Sequence, residues 1–246
     1  MAGEEGTVGG EVESIGIAEA RSALAWWLES GVDAAIQEEP RNWLKPAPPK
    51  PAPAAADAAP APNVTRPAHE TLVELQDWLA SSAHLPLASA TTKRILPHGA
   101  EGAAVMLLSD APSLEDYAAG QPIGGEAWAL AQRMLAAIGI TPEHAYSASL
   151  SPIHAPGVRL TDRDREDYAE IARRHIRLVA PKRLLLFGDG PSRALLGRPL
   201  VQARGHIHKI EGVRTVATFH PRSLINQPSN KSMAWRDLLL LMEDES

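Results

Sequence analysis

Polar residues and turn formers follow each of four short apolar runs in this 246-residue chain. The runs cover residues 104–108, 145–150, 183–187 and 214–219, and each is typical of a buried β-strand. In open parallel sheets, ligands bind beyond the carboxyl ends of the strands. The segments that would lie there are residues 109–113, 151–154, 188–190 and 220–223. The sequence therefore predicts one binding cleft built from four separate stretches of chain.

Two side chains in these segments can handle opposite charges. His220 can donate one hydrogen bond as a neutral imidazole and so stabilise negative charge on a leaving group. Asp110 can hold a water molecule and offset positive charge. Both are candidate functional residues of the predicted cleft. A simpler role stays open for each, because backbone groups could satisfy His220 and Asp110 could be a turn residue before Pro112.

Helical patterns alternate with the predicted strands and must position these segments. Apolar residues recur at helical spacing over residues 71–80, 126–138, 162–179, 191–196 and 231–242. Alternating strands and helices favour an α/β fold with a mostly parallel sheet. We predict a three-layer α/β/α sandwich around four central strands.

The composition changes sharply along the chain. Residues 1–13 are rich in Gly and Glu and are predicted to be disordered, and residues 14–44 are predicted to be an N-terminal helical segment. Residues 45–63 are predicted to be a linker, because seven Pro and eight Ala fill positions 46–62. Residues 64–246 form the predicted domain. The Trp26–Trp27 pair marks a core or docking face, or a helix that binds a protein partner.

Composition also excludes several classes of protein. The chain has no cysteine, which excludes disulfides, thiol nucleophiles and cysteine-bound zinc or iron–sulfur clusters. It has no long apolar run and no pattern of a secretory leader, so we expect a cytoplasmic protein without a membrane span. We identify no metal site and expect no cofactor.

Charge is distributed unevenly. The net charge is −6, yet residues 171–222 carry eleven Lys and Arg side chains against Asp189 and Glu211. A basic segment within an acidic chain indicates a local anionic partner. Part of this segment is also consistent with a solvated helix face.

Two motifs resemble those of the uracil-DNA glycosylase superfamily, and most closely its bacterial iron–sulfur branch, family 4. The second active-site motif of the family is similar to Thr218, Phe219, His220 and Pro221, with Leu224, Asn226 and Pro228 downstream. The first is similar to Asp110, Ala111 and Pro112, followed by Glu115, Asp116, Gly120, Pro122 and Gly124. Arg204–Gly205 and Trp235 with Asp237 also match. The resemblance spans roughly residues 72–241 and implies the glycosylase fold.

The resemblance implies roles for residues around the predicted cleft. The base pocket would comprise Ala111, Pro112, Ile123 and Ser149. Arg222 and Ser223 would hold DNA phosphates, together with Arg204, and Leu224 would wedge into the stack where a base leaves. DNA is therefore the expected partner. His220 would stabilise the leaving base, and Asp110 would position water.

The chain also departs from the family pattern. It lacks the cluster cysteines, so no iron–sulfur centre can form. Asp110 stands where the family has Glu, Ile123 where it has a stacking aromatic residue, and Ser149 where it has the uracil-reading Asn. Two functions follow: a DNA-repair glycosylase that removes uracil or another deaminated base, or a degenerate paralogue that binds DNA or a repair partner without cleaving. A third hypothesis makes the N-terminal helix the functional part.

Overall fold

A five-stranded, mostly parallel β-sheet forms the centre of the domain. The computed structural model describes residues 70–89, 92–154 and 160–243. The strands are β1 (Val105–Ser109), β2 (Ala145–Ser149), β3 (Arg183–Phe187), β4 (Ile207–Ile210) and β5 (Val213–Thr218). They lie in the order β2-β1-β3-β5-β4. All neighbouring pairs are parallel except β4 and β5, which are antiparallel.

Eight α-helices of the described chain surround the sheet. They are α1 (Leu72–Ser81), α2 (Leu114–Ala119), α3 (Gly125–Ala137), α4 (Asp162–Val179), α5 (Asp189–Leu196), α6 (Leu200–Ala203), α7 (Pro221–Asn226) and α8 (Lys231–Met242), with short 3₁₀ turns at Pro142–His144 and Pro228–Asn230. Capping boxes begin α1, α2 and α4, because Thr71, Ser113 and Thr161 are each followed three residues later by an acidic side chain. None of the described helices combines the length and apolar character needed to cross a membrane.

Side chains of the central strands alternate between two apolar cores. In β1, Met106 and Leu108 enter one core, while Val105 and Leu107 enter the other. Helices α1, α4, α5 and α6 cover the first core, and α3 and α8 cover the second. Both faces are buried, which explains why these strands read as continuous apolar runs. The predicted three-layer α/β/α sandwich is confirmed.

The predicted strand count was one too low. The additional strand, β4, pairs antiparallel with β5 across a tight turn in which Glu211 and Gly212 have positive φ angles of 49° and 82°. Three of its four residues are exposed or half-buried, so it lacks the apolar run that marks the other strands. The predictions for residues 1–13, 14–44 and 45–63 lie outside the described residues.

Candidate active site

Asp110 and His220 lie on the two sides of one short turn. Strand β3 lies between β1 and β5 in the sheet. The turn after β3 therefore lies between Asp110, which follows β1, and His220, which comes after β5. A Cβ atom on Gly188 would lie 3.9 Å from the Cβ of His220, and one on Gly190 would lie 2.3 Å from the Cγ of Asp110. The carboxyl ends of three adjacent strands thus bring together an imidazole and a carboxylate.

Gly190 leaves room for the Asp110 carboxylate. A Cβ atom at position 190 would lie only 2.3–2.5 Å from Cγ and both carboxylate oxygens of Asp110. Such distances are far below van der Waals contact, so any side chain at this position would displace the carboxylate. Gly188 is required for a different reason, because its φ angle of 93° lies in the region that favours glycine.

Hydrogen bonding fixes the tautomer of His220. The residue caps the N-terminus of α7, and its Nδ1 atom accepts the backbone N–H of Arg222 at 3.1 Å. Burial, and to a smaller extent the nearby Arg222 charge, lower the pKa of His220 to about 4 against the opposing effect of Asp116. The ring is therefore neutral at pH 7, with its proton on Nε2. It meets the Phe187 ring edge-on, with a centroid distance of 5.8 Å.

Asp110 lines a cleft of about 290 Å³. The cleft walls are formed by Asp110, Ala111, Leu150, Leu160, Arg165, Asp189, Gly190 and Arg193. Loss of hydration in the cleft raises the pKa of Asp110; the backbone N–H of Ala111 and the Arg165 charge oppose this, and Asp189 adds to it. Asp110 also remains partly open to solvent. The cleft therefore holds a carboxylate that water can reach.

Ser149 presents hydrogen-bond acceptors at the end of β2. It is paired in register with Ser109, and their hydroxyl oxygens are 3.2 Å apart. The Ser109 hydroxyl has two carbonyl acceptors within reach, those of Pro122 and Ala148, each at 3.4 Å. Either hydroxyl of this pair can be the donor. Because a hydroxyl oxygen has two lone pairs, Ser149 can accept a hydrogen bond from a ligand in both arrangements.

The other predicted base-pocket residues lie in different environments. Ala111 is exposed in the cleft, whereas Pro112 is buried. Ile123 is 1% exposed and packs in the second core with Val105 and Leu107. Its side chain is thus part of the apolar core.

Two arginines predicted to bind DNA form ion pairs within the protein. Arg222 contacts both carboxylate oxygens of the buried Asp116, at 3.0 and 2.9 Å. Arg204 contacts both oxygens of the buried Asp237, at 3.2 and 3.1 Å, and lies over the ring of Phe219. An uncompensated buried carboxylate is costly, which explains why each acid retains its arginine.

The predicted DNA wedge is also part of the packing. Leu224 is 1% exposed and lies at the base of an apolar groove of about 180 Å³ between α3, α7 and α8. Insertion into DNA would require this side chain to leave its packing. Ser223, the residue before it, is exposed.

Sequence reasoning missed Arg165 and gave Asp116 too small a role. Arg165 lies on α4 and reaches the cleft, but a surface arginine on an amphipathic helix gives no signal of this. Asp116 lies in the first turn of α2, where an acidic side chain is favourable in any helix. It also accepts the backbone N–H of Gly124 at 2.6 Å and binds Arg222, so it joins the two motif segments.

Comparison with protein families gives one match. The model of the Uracil DNA glycosylase superfamily matches residues 96–239, which is more than half of the chain. The matched span includes Asp110, Ser149 and His220.

Proposed function

Because the chain belongs to the uracil DNA glycosylase superfamily, we propose that it is a DNA-repair glycosylase that hydrolyses the bond between a deaminated base and its deoxyribose. The observation that carries this proposal is the neutral His220 ring, whose proton is held on Nε2 at the turn it shares with Asp110. Hydrolysis of an N-glycosidic bond creates negative charge on the base and positive charge on the sugar. The site offers one group suited to each.

The two residues divide the chemistry. With the base out of the stack, the Nε2–H of His220 donates to a base oxygen and stabilises the anion as the glycosidic bond breaks. Asp110 offsets the positive charge on the sugar and orients the water that attacks C1′. The water proton passes to the Asp110 carboxylate, and the departing base is protonated after it leaves. The abasic sugar and the free base are the products.

The hydrogen-bonding groups of the site favour bases with a lactam edge. Ser149 offers an acceptor and His220 offers a donor, which together complement an N–H group beside a C=O group. Uracil, hypoxanthine and xanthine all carry this pair, as do thymine and guanine, whereas cytosine and adenine have an amino group in place of the C=O and no N–H on the neighbouring ring nitrogen. The pair thus separates uracil from cytosine and hypoxanthine from adenine, and we propose deaminated bases as the substrate class, with uracil first among them.

A second candidate function is DNA binding without cleavage. Ile123 favours it, because an aliphatic side chain packed in the core provides no aromatic face for a flipped base. The single hydroxyl of Ser149, in place of an amide, also weakens base selection. In this second candidate function, the protein has the glycosylase fold and binds DNA but does not hydrolyse the glycosidic bond.

Cleavage of defined oligonucleotides distinguishes the two functions. Oligonucleotides with one uracil, hypoxanthine or xanthine are incubated with the protein, and abasic sites are detected as strand breaks after alkali. His220→Ala is compared with His206→Ala, which removes an exposed histidine from another part of the fold. Strand breaks that disappear only in His220→Ala support the glycosylase. Salt-sensitive DNA binding without strand breaks would instead support the second candidate.

A further inference from the structure

Three polar side chains from separate segments meet beside the candidate active site. The ammonium nitrogen of Lys93 lies 4.1 Å from the centre of the Tyr117 ring. The Tyr117 ring centre is 5.6 Å from that of His154. Lys93 precedes β1, Tyr117 belongs to α2, and His154 follows β2. The fold therefore assembles this cluster from residues distant in sequence.

Backbone pairing holds Lys93 opposite His154. Arg94 and Ile153 form an antiparallel bridge, and the N–H of Ile95 donates to the carbonyl of Pro152 at 2.8 Å. In an antiparallel pair, the residue before Arg94 faces the residue after Ile153. The position of Lys93 thus follows from main-chain geometry as well as from its contact with Tyr117.

Arg94 anchors this segment to the end of α1. Its guanidinium group donates to the carbonyl oxygens of Leu79 and Ser82, at 2.7 and 2.5 Å. These carbonyl groups lie at the C-terminal end of α1, where the last carbonyl oxygens of a helix have no N–H partner within the helix. The segment that carries Lys93 is thereby fixed at two points.

His154 connects the cluster to the loop of Asp110. Its Nδ1 lies 2.6 Å from the carbonyl oxygen of Pro112, and because a carbonyl only accepts, Nδ1 is the donor. Pro112 follows Asp110 by two residues. The cluster therefore lies directly beside the candidate active site.

The chemistry of the cluster suits an anion. Lys93 is exposed and Tyr117 is half-buried, and within residues 70–89, 92–154 and 160–243 no carboxylate pairs with Lys93. An ammonium group and a phenol hydroxyl can each donate to a phosphate oxygen, whereas the one N–H of a neutral His154 is already used on the Pro112 carbonyl, so this ring packs against Tyr117 and positions it. A strand of DNA that enters the cleft brings such a phosphate next to the base being removed.

We propose that Lys93 and Tyr117, with His154 packed against the Tyr117 ring, form a phosphate subsite for the DNA strand beside the removed base. The inference rests on the proposed function, since it takes DNA as the ligand. Lys93 lies before residue 96, where the family match begins. The subsite thus extends the DNA-binding surface beyond the matched span.

The salt dependence of DNA binding tests this subsite. The probe is a fluorescein-labelled duplex with one tetrahydrofuran abasic site, which the enzyme cannot cleave, and anisotropy gives Kd at several KCl concentrations. We compare the wild type with Lys93→Gln, with the charge-retaining Lys93→Arg, and with Lys182→Gln. Lys182 is an exposed lysine just before β3, at the opposite edge of the sheet.

Loss of one phosphate contact has a defined effect. The slope of log Kd against log salt concentration should fall by about 0.9 in Lys93→Gln and stay at the wild-type value in Lys93→Arg and Lys182→Gln. The wild type then loses about threefold more affinity than Lys93→Gln when the salt concentration rises fourfold. A wild-type slope in Lys93→Gln would overturn the subsite and leave the proposed function standing. No DNA binding by the wild type would overturn both.

Discussion

At the scale of single residues, the site depends on a missing side chain as much as on those present. Asp110 is one methylene shorter than the glutamate of the family pattern, and its carboxylate rests against the backbone of Gly190. Gly190 has an ordinary helical conformation, so the backbone itself would accept alanine. The absence of a side chain at position 190 therefore leaves the space that the Asp110 carboxylate occupies.

Gly190→Ala should impair the reaction more than the fold. The new methyl group displaces the Asp110 carboxylate by about an ångström, and we expect the single-turnover cleavage rate to fall about 100-fold. Gly139→Ala is the control for adding a methyl group away from the site. Position 139 has a positive φ angle, so this change strains the backbone, but no atom lies within 4 Å of the added Cβ and Asp110 is not displaced. A cleavage rate for Gly190→Ala within twofold of the wild type would contradict this account of Asp110.

At the scale of elements, Asp116 joins three helices at the candidate site. It caps α2 through Ser113, accepts the backbone N–H of Gly124 at the start of α3, and binds Arg222 in α7. Asp116 is 1% exposed, whereas the side chain of Arg222 is 33% exposed. The first and second motif segments are thus connected by one buried carboxylate.

Arg222→Met should destabilise the protein because it leaves Asp116 buried without a counter-charge. We expect a loss of about 2–3 kcal/mol in the free energy of unfolding, somewhat below that of a fully buried pair because Arg222 is partly exposed. Urea denaturation measures it. Arg193→Ala, which removes an exposed ion pair with Asp189, should cost less than about 1 kcal/mol. Equal losses in both variants would show that Asp116 does not depend on Arg222.

Leu224→Ala should also act on the packing of α7. The side chain is buried against α3 and α8, so we expect a loss of about 2–4 kcal/mol in the free energy of unfolding. Ile225→Ala, at the half-buried neighbouring position, should cost less. Weaker DNA binding by Leu224→Ala together with unchanged stability would instead support Leu224 as a DNA wedge.

At the scale of the whole molecule, the buried His175 and the half-buried His220 make stability depend on pH. Burial lowers the pKa of His175 to about 4, and the pKa of His220 is also lowered to about 4. Nε2 of His175 lies 2.8 Å from the Tyr146 hydroxyl, which also accepts a hydrogen bond from Gln76. Both rings are neutral in the folded protein at pH 7.

Stability should fall as the pH falls from about 6.5 to about 4. In this range the unfolded chain binds protons at His175 and His220 that the folded protein does not, so acid favours unfolding. Each histidine removes up to about 1.4 kcal/mol per pH unit. His175→Gln should reduce the slope of the unfolding free energy against pH by one proton, whereas His206→Gln, at an exposed position, should not. An unchanged slope in His175→Gln would contradict a buried neutral His175.

The sequence by itself determined the fold class and the edge of the sheet that holds the site. Continuous apolar runs located four of the five strands, and helical spacing gave α4 and α8 the bounds that the structure has. Because parallel strands end at the same edge, the segments after them had to converge. The sequence therefore predicted that His220 and Asp110 lie at one edge of the sheet, where the structure has them on either side of the turn after β3.

Only the tertiary structure decided what Arg222, Arg204 and Leu224 contact. The arginines lie 106 and 33 residues from the acids they bind, and no local pattern encodes such a pairing. Periodicity reports which face of an element is apolar, whereas packing decides which neighbour covers it. The contact of Gly190 with Asp110 and the cluster of Lys93, Tyr117 and His154 could not be predicted for the same reason. Both arise where segments that are distant in sequence meet in space.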